Sequence, residues 1–166
     1  MQQKRVDEML RSFNETVARC VHLEHEIPTL KKLVKSLRET LLEDEISTTS
    51  VLSDMPHGTI ISNPTERLGL KIASGYVSED ILDLEKEIRE KEIELEELRP
   101  NVIYVETWMR GLNEREKFLV ERKQIAGEFW RVIADEFRER FGAEYSKNGL
   151  KNIYTSAMEK IYRIAQ

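Results

Sequence analysis

Apolar residues recur from Val6 to Leu41 at Val6, Leu10, Phe13, Val17, Cys20, Ile27, Leu30, Val34, Leu37 and Leu41. Their steps alternate between three and four, a period of about 3.5 residues, which predicts an amphipathic helix with a narrow seam. Glu24 is the one polar intrusion. Pro28 removes an amide donor and crowds the preceding turn, so a kink or a helix boundary is expected there. The stripe disappears over 47–63, where Ser and Thr gather with Pro56 and Gly58, and this predicts a loop. Asn63-Pro64-Thr65-Glu66 has the form of a helix start, with Asn63 as cap and Glu66 reaching back. Gly69 and Gly75 weaken any helix begun there, and Ser78-Glu79-Asp80 offers a second start. The stripe resumes at Val77, Ile81, Leu84, Ile88, Leu95, Leu98, Val102, Val105 and Met109, with Lys91 as its polar break. Glu87 and Lys91 stand four apart in the favourable order for an ion pair. A seam this narrow must be covered by another helix. Either the 6–41 helix folds back as an antiparallel hairpin or a second copy of the chain supplies the cover.

The pattern shortens after residue 110. Gly111-Leu112 closes the long helix and Asn113-Glu114-Arg115-Glu116 reads as a capping box. A first short helix then runs to about Lys123, burying Phe118, Leu119 and Ile125, and Gly127 marks a turn. A second covers 128–141 with Trp130, Ile133, Ala134, Phe137 and Phe141 on one face, and Gly142 supplies the left-handed residue that ends it. A third begins at the N-cap Ser146 and buries Leu150, Ile153, Ala157, Met158, Ile161 and Ile164. The expected fold is all-α. A long N-terminal helical hairpin of coiled-coil character (1–109, with its loop at 47–63) precedes a C-terminal helix-turn-helix unit of three helices (110–166). Trp108 is placed beside the seam at the junction of the two parts, and Trp130 in the core of the second.

Composition changes this picture in one respect. The 166 residues are 34% charged with a net charge of −5, which taken whole argues against a nucleic-acid partner. Residues 110–166, however, hold 12 Lys+Arg against 9 Asp+Glu, while residues 1–109 hold 14 against 22. The basic excess therefore sits in the helix-turn-helix part, and such a change of sign between halves points to different partners. A single cysteine, Cys20, excludes an intrachain disulfide and fits a reducing compartment. The first residues lack the apolar run of a signal peptide, and no apolar stretch reaches the roughly 18 residues of a membrane span. A cytoplasmic location without membrane contact is expected. Cys20, His22, Glu24 and His25 do not have the spacing of a closed metal site, so no metal is expected. Neither a nucleophile–base arrangement nor a phosphate-cradling glycine loop occurs, so no cofactor and no enzymatic activity are expected.

In a helix-turn-helix the second helix lies across the DNA backbone and the third enters the major groove by its N-terminal turns. The outward face of the third helix, 146–165, carries Lys147, Asn148, Lys151, Asn152 and Thr155, the expected base-contacting residues. Arg122, Lys123, Arg131 and Ser146 are the expected phosphate contacts. Leu112-Asn113-Glu114-Arg115-Glu116, Trp130-Arg131-Val132-Ile133-Ala134 and the run Ser146, Leu150, Ile153, Ala157, Met158, Ile161 resemble region four of bacterial sigma factors. The stretch 138–145 is longer than in those factors. Lysines and asparagines also replace their usual arginines, so recognition of a −35 element does not transfer. The whole layout is similar to phage-encoded ArpU- and RinA-type transcriptional regulators, which join an N-terminal helical segment, a Ser/Thr/Pro linker, an acidic helix (83–88 here) and a sigma-like C-terminus. That resemblance implies a regulator of phage or prophage genes in a bacterial host cell, with double-stranded DNA as partner and RNA polymerase or a second copy of the chain as further partners. Two other classes fit the same elements: a phage small terminase subunit for DNA packaging, and a coiled-coil adaptor that binds protein only.

Overall fold

The computed structural model of the chain describes residues 3–51 and 79–166. Six α-helices form among them: α1 Gln3–Arg11, α2 Phe13–Val51, α3 Glu79–Arg110, α4 Glu114–Val120, α5 Trp130–Phe141 and α6 Lys147–Ile164. A π-turn, Glu121–Ile125, follows α4. The molecule is all-α, and no helix among the described residues is long and apolar enough to cross a membrane. α2 does not end at Pro28. The missing amide costs about 3 kcal/mol in a helix interior, but Ile27 and Val34 on either side are buried and hold the element together. The Thr29 hydroxyl also donates to the His25 carbonyl at 2.9 Å. The helix break falls instead at Ser12, whose hydroxyl donates to the Glu8 carbonyl at 3.0 Å. Residues 47–51 of the expected loop continue α2, since extending an existing helix is far easier than starting one. The rest of that loop, the start at 63–66 and the glycines at 69 and 75 lie outside the described residues.

Two compact units are present, and neither is bounded at residue 109. One, Leu23–Glu94, contains the antiparallel pairing of α2 with α3. Lys31 meets Glu92 at 2.7 Å and Arg38 meets Glu85, so the numbers descend on one helix as they rise on the other. The seam therefore closes within a single chain. Its buried residues are Leu23, Ile27, Val34, Ile81 and Ile88. Leu23, fully buried, takes the seam position next to Glu24, which is exposed. Lys91, the polar break on α3, is answered by Glu26 at 3.1 Å and by Glu87 at 3.3 Å. The bond to Glu26 is the main reason its pKa lies above the ordinary lysine value.

The other unit joins Met1–His22 to Leu95–Gln166. It has two hydrophobic clusters. In the first, Val6, Met9 and Leu10 of α1 pack with Val105, Trp108, Leu112, Val120, Ala157, Met158 and Ile161. In the second, Phe118, Leu119, Ile133, Phe137 and Leu150 pack with the half-buried Trp130, Ala134, Phe141, Ile153 and Tyr154. Trp108 thus belongs wholly to this unit. The N-terminal helix belongs to it as well, because α1 is too short to be stable alone and its apolar face has no seam of its own to join.

Candidate nucleic-acid interface

The candidate interface rests on α4, α5 and α6, each positioned by local chemistry. At the start of α4, Asn113 Oδ1 accepts from the Glu116 amide at 3.0 Å and Glu116 Oε2 accepts from the Asn113 amide at 3.1 Å. Glu116 is only 5% exposed, and its other oxygen pairs with Lys160 Nζ, which ties α4 to α6. At the end of α5, Gly142 adopts φ +61° and ψ 18° and its amide bonds the Arg138 carbonyl. A residue with a Cβ is strained in that left-handed conformation. Part of the long 138–145 stretch is therefore spent on a further turn of α5, and the connection proper is 142–146. Aromatic rings brace it. Phe137 meets Tyr145 edge-to-face at 5.6 Å and Phe141 at 4.6 Å, while Phe118 meets both phenylalanines. Arg115 donates to the Tyr145 hydroxyl at 3.1 Å and lies over the Phe141 ring.

Ser146 caps α6 from an extended backbone, its Oγ accepting from the Gly149 amide at 3.1 Å. Leu150, Ala157, Met158 and Ile161 turn inward at helical spacing. Lys147, Asn148, Lys151, Asn152 and Thr155 share the opposite face, and all five are exposed. None has a side-chain partner among the described residues. No acidic residue occurs from Tyr145 to Met158. The face therefore offers two ammonium groups that donate, and two amides and a hydroxyl that both donate and accept.

The expected phosphate contacts are placed differently from one another. Arg131 is exposed on the first turn of α5 without a partner among the described residues. Ser146 is exposed while acting as the cap. Arg122 is held by Glu128 at 3.0 Å and Glu136 at 3.1 Å and lies over the Phe118 ring. Lys123 donates to the Glu128 carbonyl at 2.8 Å and lies 5.8 Å from the Trp130 ring. These last two close the loop before α5, whose Gly127 takes φ +71°. Ile125 and Ile153, expected in the core, are half-buried, and Ile164 is 47% exposed.

Sequence reasoning missed Tyr154 and Tyr162, which interrupt the apolar stripe of α6 with polar tips. Tyr154 stacks edge-on against Trp130 at 5.6 Å, and its hydroxyl donates to Gln124 at 2.7 Å. The Tyr162 hydroxyl donates to Asp7 at 2.7 Å. Their position on the buried face was a signal, since a buried tyrosine hydroxyl calls for a partner. Compared with protein-family models, curated proteins and solved structures, the chain matches none.

Proposed function

We propose that the chain is a sequence-specific regulator of transcription that reads double-stranded DNA through α6, of the phage or prophage type its sequence resembles. The observation that carries this reading is the outward face of α6. Five exposed polar or basic side chains without partners among the described residues stand there at helical spacing, on a helix with no carboxylate in its first three turns. A merely solvated face has no need to exclude acids, and the rest of the chain uses them freely. Lys147, Asn148, Lys151, Asn152 and Thr155 contact base edges and nearby phosphates, and Arg131 meets the backbone from α5. RNA polymerase is the further partner of this reading, approached through the acidic helices.

The test is selection of bound duplexes from a random pool, followed by titration of the winning sequence. Lys151→Ala is expected to weaken binding by about 1–3 kcal/mol if it reads a base. If it meets a phosphate instead, the slope of log affinity on log salt should fall by about one. Glu94→Ala, in the other compact unit, should leave both unchanged. No enrichment from the pool, or equal losses in the two variants, would remove the reading.

A further inference from the structure

α1 is nine residues long, and its Val6, Met9 and Leu10 are buried in the cluster that also holds Ala157, Met158 and Ile161 of α6. Between them on the same helix stands Asp7. Its Oδ1 accepts from the Tyr162 hydroxyl at 2.7 Å and from Gln124 Nε2 at 3.4 Å. Gln124 lies in the π-turn and passes the connection on, its Oε1 accepting from the Tyr154 hydroxyl at 2.7 Å. One carboxylate on α1 is therefore linked to α6 at two points eight residues apart, about 12 Å along the helix axis. Burial, followed by the charge of Asp7, raises the pKa of Tyr154, and burial with the hydrogen bond to Asp7 raises that of Tyr162. Both phenols thus remain donors throughout the neutral range.

The geometry of these bonds does something that apolar packing does not. Leu150, Ala157, Met158 and Ile161 hold α6 against the core, yet a smooth stripe tolerates rotation about the helix axis and sliding along it. Directional bonds at two heights fix both, and a bond to a carboxylate is stronger than one between neutral groups. Tyr154 lies at the centre of the buried stripe, three residues after Lys151 and one before Thr155, so its setting is also theirs. The π-turn supplies the reach. Its extra residue lets the Ala126 amide bond the Glu121 carbonyl at 2.8 Å, and Gln124 spans from α1 to α6. Such single-turn π segments occur often where function requires an irregular helix.

We propose that Asp7 is a positioning residue for α6, setting its rotation and height through Tyr162 directly and through Gln124 and Tyr154, and with them the alignment of Lys151, Asn152 and Thr155 towards a ligand. The part of this inference that concerns DNA rests on the function proposed above. The effect on α6 does not.

The test uses the full chain and two readouts, both taken well below the unfolding temperature of each variant. The first is the backbone amide shifts and hydrogen exchange of residues 147–155 without DNA. The second is the ratio of affinities for the selected duplex and for random duplex at fixed salt. Asp7→Leu removes the acceptor and should shift those amides and lower the ratio about tenfold, the worth of one or two such bonds. Asp7→Asn keeps a carbonyl oxygen at the same place and should hold the ratio within about threefold of wild type, as expected when the bond remains but its charge is lost. If Asp7→Leu does not fold, the double variant Tyr154→Phe/Tyr162→Phe removes only the two hydroxyl oxygens and carries the same expectations. Unchanged amides and an unchanged ratio in a folded variant would overturn the positioning role while leaving the DNA reading intact. A wild-type protein that does not distinguish the duplexes, beside a variant with shifted amides, would overturn the DNA reading and leave the positioning role standing.

Discussion

Phe137 illustrates how much of the unit that holds α6 hangs on single side chains. It is fully buried, meets Phe118, Phe141 and Tyr145, and joins α5 to the connection before α6. Phe137→Ala should cost about 3–5 kcal/mol, the range for deleting a buried ring, and a thermal melt will show it as a lower midpoint of the unit that holds α6. Trp130, which sequence reasoning placed in the core, is half-buried and packs at its edge. Tyr162 makes a prediction about pH. Its folded pKa is raised above the unfolded value of 10.0, so the folded state holds the proton more tightly. The stability it contributes is fully present below pH 10 and declines as the pH rises beyond it. Urea unfolding at pH 9 and pH 11 should therefore show a larger loss for wild type than for Tyr162→Phe. An equal loss would mean that the hydroxyl is solvated in the folded state.

Among the elements, α2 departs furthest from expectation. Its apolar period is legible, but the seam runs through Leu23 and not through the position of Glu24, one residue away. A pattern of threes and fours can absorb that slip only when a partner helix shows which face is covered. Lys91 is the converse case. Its local partner Glu87 is legible in the sequence, but the partner across the seam is Glu26, on a different helix 65 positions earlier. Pro28 sits inside α2, where its ring nitrogen has no hydrogen to donate along the helix. Pro28→Ala should add that donor and raise the unfolding free energy by at most about 3 kcal/mol, read as a higher denaturant midpoint. A lower midpoint would show that packing beside residue 28 depends on the ring. The shorter elements are legible because their signals are local: the capping box at Asn113 and Glu116, the left-handed Gly142 and the cap at Ser146 all act within four residues.

At the level of the whole molecule, the unit that carries the candidate interface is discontinuous in sequence. Val6, Met9 and Leu10 from the start of the chain, and Val105 and Trp108 from the end of α3, complete the core against which α6 lies. A fragment of residues 110–166 lacks five of the ten buried residues of that cluster. It should therefore unfold without a cooperative transition, and a fragment of 95–166 should recover one on addition of a peptide of residues 1–22. Cooperative melting of 110–166 alone would show that the second cluster suffices. The boundary expected at residue 109 was drawn from the change in period and charge. Neither property reports which distant segment fills a core.

The helical class, the caps that begin α4 and α6, the glycine that ends α5, and the exposure of Lys147, Asn148, Lys151, Asn152 and Thr155 follow from the order of residues alone. These depend on spacing along one helix and on bonds between residues a few positions apart. Tertiary structure alone decided that Leu23 rather than Glu24 joins the seam, that Lys91 faces Glu26, and that Arg122 and Lys123 are held by Glu128. It alone brought α1 against α6 through Asp7. Each of these is a contact that spacing along one helix does not encode, because periodicity records which face of a helix is covered without recording by what.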